Sequence, residues 1–196
     1  MNSKPAYPIP PRTYTIGMWL FIAALAMLFG SSMLGYVMIR ALPRTEEAIG
    51  FRPELHTLYL PATLWISTAL ILAASFTIHR ALVAIRRERQ QALRTNLAIT
   101  LALAILFVLI QCPSLVAVLK SQRTSHIAFY GLIFTLILLH ALHVVGGIVS
   151  LSIVTVKSFK GLYDHENTGP IRCVTIYWHF LDIVWLVMFG TMWVLG

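Results

Sequence analysis

The chain has 196 residues, of which 58% are hydrophobic and only 11% charged, with a mean hydropathy of +0.79. Soluble domains carry about 25% charged residues, so a water-soluble enzyme or binding module is excluded. The formal net charge of +8 would suggest a nucleic-acid partner in a soluble protein. Here the basic residues sit between apolar runs, where they anchor loops to a membrane surface and to anionic lipid, and no nucleic-acid-binding module accompanies them.

Residues 1–13 read as a flexible tail, with Pro5, Pro8, Pro10 and Pro11 favouring an extended chain. Residues 14–196 read as a single five-helix membrane domain, because a bilayer span needs about 20 mostly apolar residues. The first span is expected over about 16–39; it is of full membrane length and is retained rather than cleaved as a signal peptide. Ala26 with Gly30, and Ser31 with Gly35, place small residues at four-residue spacing and predict a close-packed face.

The second span is expected over about 58–85, with Pro61 in its first turn, where proline is tolerated. A basic stretch from Arg80 to Arg94 follows. The third span is expected over about 97–119, and Pro113 predicts a kink near its end. A short loop with Thr124 or Ser125 as N-cap leads to a fourth span over about 127–156. The fifth is expected over about 171–195, after a loop punctuated by Gly169 and Pro170. Cys112 and Cys173 fall near opposite membrane faces, too far apart for a disulfide.

Alternate loops carry unequal positive charge. One side collects Lys4, Arg12, Arg80, Arg86, Arg87, Arg89, Arg94, Lys157, Lys160 and Arg172, against Arg40, Arg44, Arg52, Lys120 and Arg123 on the other. The positive-inside rule then places the N-terminus in the cytoplasm and the C-terminus outside. The expected fold class is all-α integral membrane, a bundle of five transmembrane helices.

Chemistry-bearing residues concentrate in the last two spans. His179 and Asp182 are three residues apart in span five and share a helical face, as Trp178 and Trp185 do seven apart. An acid in a membrane-length segment costs roughly 2.5–3.5 kcal/mol unless it is partnered, so His179 is its expected partner and other helices must shield the pair. In span four His140, His143 and Gly147 share a face, and Gly147 leaves room for another backbone.

Three readings stay open for this cluster: a structural hydrogen-bonded group, a proton-transfer group, or ligation of haem or metal. His79 beside Arg80 reads as an interfacial anchor. Gln111 reads as an interhelical hydrogen-bonding amide, and His56, His126 and His165 as solvated loop residues. No nucleophile elbow, P-loop, dinucleotide fingerprint or C-x-x-C is present.

The nine residues Tyr177–Trp185, Y-W-H-F-L-D-I-V-W, resemble the signature of subunit III of the haem-copper terminal oxidases. Gly17–Ala23 is similar to that family's G-x-W-L-F opening, and Leu60–Thr63 with Ser75 to its L-N-T…S stretch. His79 resembles the first of its paired histidines, Gln111 its late glutamine, and His140–Val144 its H-G-L-H-V. The chain resembles the short five-helix bacterial form of cytochrome c and quinol oxidases.

The resemblance implies an accessory subunit that binds no haem or copper itself. Such a subunit packs on catalytic subunit I in a complex with subunit II, holds phospholipid and supports proton uptake, with haem and copper in the partner subunits. It implies a multi-pass protein of a bacterial-type cytoplasmic membrane. Three family features differ: Ala24-Leu25 replaces Ser-Glu, Ser114 stands where a second acid is common, and Arg80 replaces the second paired histidine. A subunit-III-like protein of a nitric oxide reductase, or a self-contained haem or quinone protein ligated by His140 or His143 with His179, are the alternatives.

Overall fold

The computed structural model describes residues 11–41, 63–121, 127–161, 163 and 168–195. They form five helices: α1 (Pro11–Ala41), α2 (Thr63–Arg86), α3 (Gln90–Ser121), α4 (Ile127–Phe159) and α5 (Gly169–Leu195). Each contains an apolar stretch of 24 to 26 residues, enough to cross a bilayer. The protein is a multi-pass, all-helical integral membrane protein. In hydrocarbon a helix satisfies its backbone polar groups internally, which is why these apolar runs have no alternative to helix.

The helices extend past their apolar stretches. Pro11, Arg12 and Thr13, expected in the tail, already belong to α1, because proline is accommodated in a first helical turn. The basic stretch expected as a loop is mostly helical too. α2 runs to Arg86, only Arg87, Glu88 and Arg89 turn, and α3 starts at Gln90 rather than near Leu97. Helix α3 continues past Pro113 to Ser121. The rest of the expected tail, residues 42–62 with His56 and with Pro61 at the expected start of span two, the cap residues Thr124 and Ser125 with His126, and His165 lie outside the described residues.

Two helix ends are closed by residues in the left-handed region, and the closures dock on each other. Glu88 (φ 57°) ends α2, with Arg89 N donating to Ala84 O at 3.0 Å and Glu88 N to Ile85 O at 3.1 Å, the double bond of a Schellman cap. Gly161 (φ 71°) ends α4, its N–H donating to Ser158 O at 3.0 Å. Arg94 Nε donates to that same carbonyl from α3 at 3.1 Å, and Gln90 Nε2 donates to Tyr163 O at 3.0 Å. The α2–α3 turn and the end of α4 therefore share one end of the molecule, bringing Arg86, Arg87 and Arg89 to the same side as Lys157, Lys160 and Arg172.

Packing is not uniform around the molecule. α2 and α3 form an extensive hairpin, and α5 touches α1, α2 and α4. One apolar core joins α2, α3, α4 and the first part of α5 through residues such as Ile85, Leu97, Leu151 and Trp178. A second joins all five helices through Leu25, Phe29, Ile71, Phe107, Val144, Leu181 and Trp185.

Helix α1 buries Ile22, Leu25, Phe29 and Tyr36. The small residues Ala26, Gly30 and Ser31, expected on a packed face, are exposed instead, and nothing approaches within 4 Å of where a Gly30 side chain would begin. The larger side chains claim the inner face because they bury more surface and make more contacts.

Candidate functional site

Helix α5 carries its polar groups on a face turned into the protein. Asp182 is 4% exposed, so the carboxyl does not meet lipid. His179 Nδ1 lies 3.9 Å from Asp182 Oδ2, within ion-pair range but beyond a hydrogen bond. The direct partner of His179 comes from another helix: Ser75 Oγ on α2 shares a hydrogen bond with Nδ1 at 2.7 Å. His79, one turn beyond Ser75, places its ring 6.1 Å from the His179 ring at an angle of 47°. His79 is exposed and His179 half-exposed. Going inward, the order is His79, His179 with Ser75, then Asp182, neither of whose oxygens accepts a hydrogen bond among the described residues.

The span-four histidines occupy a different environment. His140 is 3% exposed, stacked on Trp185 with ring centres 5.8 Å apart and 27° between planes. Phe29 of α1 meets it edge-on at 6.0 Å. His143 also meets Phe29, at 5.4 Å. Its Nδ1 donates to Leu139 O at 2.7 Å, which fixes the proton on that nitrogen. Tyr177 Oη donates to His143 O at 3.0 Å, tying α5 to α4.

Thus His140 and His143 face α1 and α5, while His179 and Asp182 face α2. Ring contacts to Phe29 link the first pair, and no hydrogen bond joins the two pairs among the described residues. Nor do any three His, Cys, Asp or Glu side chains among them gather closely enough to hold one metal ion.

The remaining motif residues fall at the same junctions. Trp178 and Trp185 are both buried, and Trp185 Nε1 donates to Thr68 Oγ1 on α2 at 3.1 Å. Gly147 is filled by α5 side chains rather than by its backbone: a Cβ there would lie 3.1 Å from Leu181 Cδ1 and 3.4 Å from Tyr177 Cε1. Gln111 lies beside His140, Phe107 and Trp185, and its Oε1 is buried without a partner. Leu25, where the resemblance leads one to look for an acid, is 6% exposed within the second core.

Sequence reasoning on the spans missed the Ser75–His179 and Thr68–Trp185 bonds. The available signal was the α2 series Thr68, Ser75, His79, whose steps of seven and four residues stay on one helical face.

Comparison with known proteins agrees with these motifs across the chain. The family described as cytochrome c oxidase subunit III matches residues 11–196. Cytochrome c oxidase subunit 3 of Thermostichus vulcanus is 25% identical over 94% of this chain and 89% of its own length. A probable quinol oxidase subunit 3 of Staphylococcus epidermidis is 27% identical over 99% of this chain and 97% of its own. Cytochrome bo(3) ubiquinol oxidase subunit 3 of Pseudomonas aeruginosa is 26% identical over 92% and 84%. With its five membrane-length helices and the carboxyl of its H-F-L-D stretch buried at the α2–α5 seam, the chain belongs to the cytochrome c oxidase subunit III family.

Proposed function

We propose that this subunit III works as a cofactor-free accessory subunit. It packs on catalytic subunit I of a respiratory oxidase, in a complex with subunit II, and prolongs the life of the catalytic subunit during turnover. Haem and copper reside in those partners, and phospholipid fills clefts at the contact. The complex belongs to a bacterial-type cytoplasmic membrane. The gathering of Arg86, Arg87, Arg89, Lys157 and Lys160 at one end supports a cytoplasmic location for that end. The N-terminus is then cytoplasmic and the C-terminus outside.

The observation that carries the reading is the Asp182–His179–Ser75 junction. A carboxyl kept from lipid at the seam of two helices is a group whose burial has to be maintained, and such groups in membranes are commonly functional. Because Leu25 is apolar, support for proton uptake has to come from the series His79, His179 and Asp182.

Purifying the tagged chain from its native membrane tests this reading. The expected eluate contains a large multi-helix haem protein with the visible spectrum of an oxidase, and deleting the chain shortens that enzyme's turnover lifetime. A chain that purifies alone with a Soret band of its own, lost on His143→Ala, overturns it.

A further inference from the structure

Helices α3, α4 and α5 enclose a cavity of about 110 Å³ that the Ser75–His179–Asp182 junction does not use; Gln111, His140 and Trp185 contribute to its lining together with Phe107 and Val144. Cys112 and Val145 also line it and are exposed. Both lie within membrane-length apolar stretches, so the cavity opens sideways towards hydrocarbon rather than towards a loop.

Its polar groups are incomplete. Neither ring nitrogen of His140 has a hydrogen-bond partner among the described residues, and Gln111 Oε1 has none. The imidazole is held in place by Trp185 and Phe29. A neutral imidazole offers one donor and one acceptor, and an amide oxygen offers a further acceptor. Leaving such groups buried and bare costs about 1–3 kcal/mol each. Completing them takes a group beyond the described residues.

The walls narrow the choice. Water would satisfy the nitrogens but would leave Phe107, Val144 and the lipid-facing mouth wetted. A wholly apolar ligand would fit the walls and strand the polar groups. An apolar cavity of about 150 Å³ takes up benzene, so about 110 Å³ with an open side admits part of one ring while the remainder lies in the mouth. Mostly apolar walls with a few convergent polar groups are the usual composition of a small-ligand site.

We propose that this cavity binds the ring headgroup of a membrane quinol or quinone, entering between α3 and α4 with its apolar tail in the lipid. A ring oxygen accepts from His140 or, as a hydroxyl, donates to His140 or to Gln111 Oε1. The ring edge packs on Phe107 and Val144. The site binds; no electron transfer is assigned to it.

Photolabelling tests the proposal, using the full-length chain in lipid nanodiscs with an azido-quinone probe and decylubiquinone as competitor. The label is expected on residues 107–112 or 137–145. Gln111→Leu and His140→Leu are each expected to weaken competition by roughly tenfold, the scale of one lost hydrogen bond to a buried group. Ser75→Ala, away from the cavity, should label like the parent. Should either cavity variant fail to fold by circular dichroism, Val145→Trp blocks the mouth from an exposed position without removing a polar group, and is expected to abolish labelling. Label spread over all lipid-facing helices, competition unchanged in the folded variants, equal competition by decane, or density for water alone in the presence of decylubiquinone overturns the proposal.

Discussion

Ser75 and His179, on α2 and α5, are joined by a hydrogen bond of 2.7 Å, and that bond sets the position of the ring above Asp182. Without it the imidazole would keep only a 3.9 Å approach to the carboxyl and a 6.1 Å ring contact with His79, too loose to fix an orientation. Ser75→Ala is therefore expected to destabilise the chain by about 1 kcal/mol, the net contribution of one such bond. Reversible unfolding in mixed micelles, followed by circular dichroism, checks this. A double-mutant cycle with His179→Phe should give a coupling of about the same size; additive losses would show that the two side chains do not act together.

Asp182 separates stability from assembly. Both its oxygens lack hydrogen bonds among the described residues, so Asp182→Asn removes little bonding. It exchanges one unbonded polar group for another of the same size, which costs the fold little. The isolated variant is expected to insert and unfold like the parent, while its copurification with the oxidase falls. Equal copurification and an equal turnover lifetime would show that the acid has no role in the complex.

Gly147 is a packing constraint. The 3.1 Å between a Cβ at this position and Leu181 Cδ1 is tight enough that Leu181 must shift by a few tenths of an ångström, and Leu181 is fully buried. Gly147→Val should cost about 1–3 kcal/mol through overpacking. Leu181→Ala in the same chain should recover part of that loss, as the space it vacates accepts the valine methyls. The unfolding assay reads both; a double variant worse than either single one would place the strain elsewhere.

The five helices could be read from the sequence because each apolar run had membrane length, and the burial of Asp182 because hydrocarbon tolerates a lone carboxyl so poorly. Helix ends were less legible. Arg86 and Gln90 extend helices through a basic stretch because charged side chains at a membrane surface suit helix as well as loop. Ile22, Leu25 and Phe29 claim the face of α1 that meets the chain's own helices, leaving Ala26 and Gly30 exposed within the chain, so small residues alone did not say which face turns inward. Serine in a membrane helix ordinarily bonds its own backbone, as Ser150 does to Gly147 O, so the use of Ser75 as an interhelical donor or acceptor was hidden. Whether His140 and His179 shared one cluster depended on the rotation of α4 against α5, which intrahelical spacing does not specify.

The two docked turns determine which connections share a membrane surface. Gln90 donates to Tyr163 O and Arg94 to Ser158 O, so the α2–α3 turn and the end of α4 must lie at the same membrane surface whichever surface that is. In a background with Cys112 and Cys173 replaced by alanine, Arg87→Cys and Lys160→Cys should react with a membrane-impermeant maleimide from the same side. The positive charge gathered there predicts the cytoplasmic side: labelling should occur in inverted vesicles and fail in intact cells. Reaction of the two cysteines from opposite sides would contradict the docking of the turns. Reaction of both from outside would leave the docking intact and reverse the orientation alone. Arg94→Met adds a structural check, since loss of its bond to the Ser158 carbonyl should speed amide exchange at Lys160 and Gly161 while leaving the middle of α4 protected.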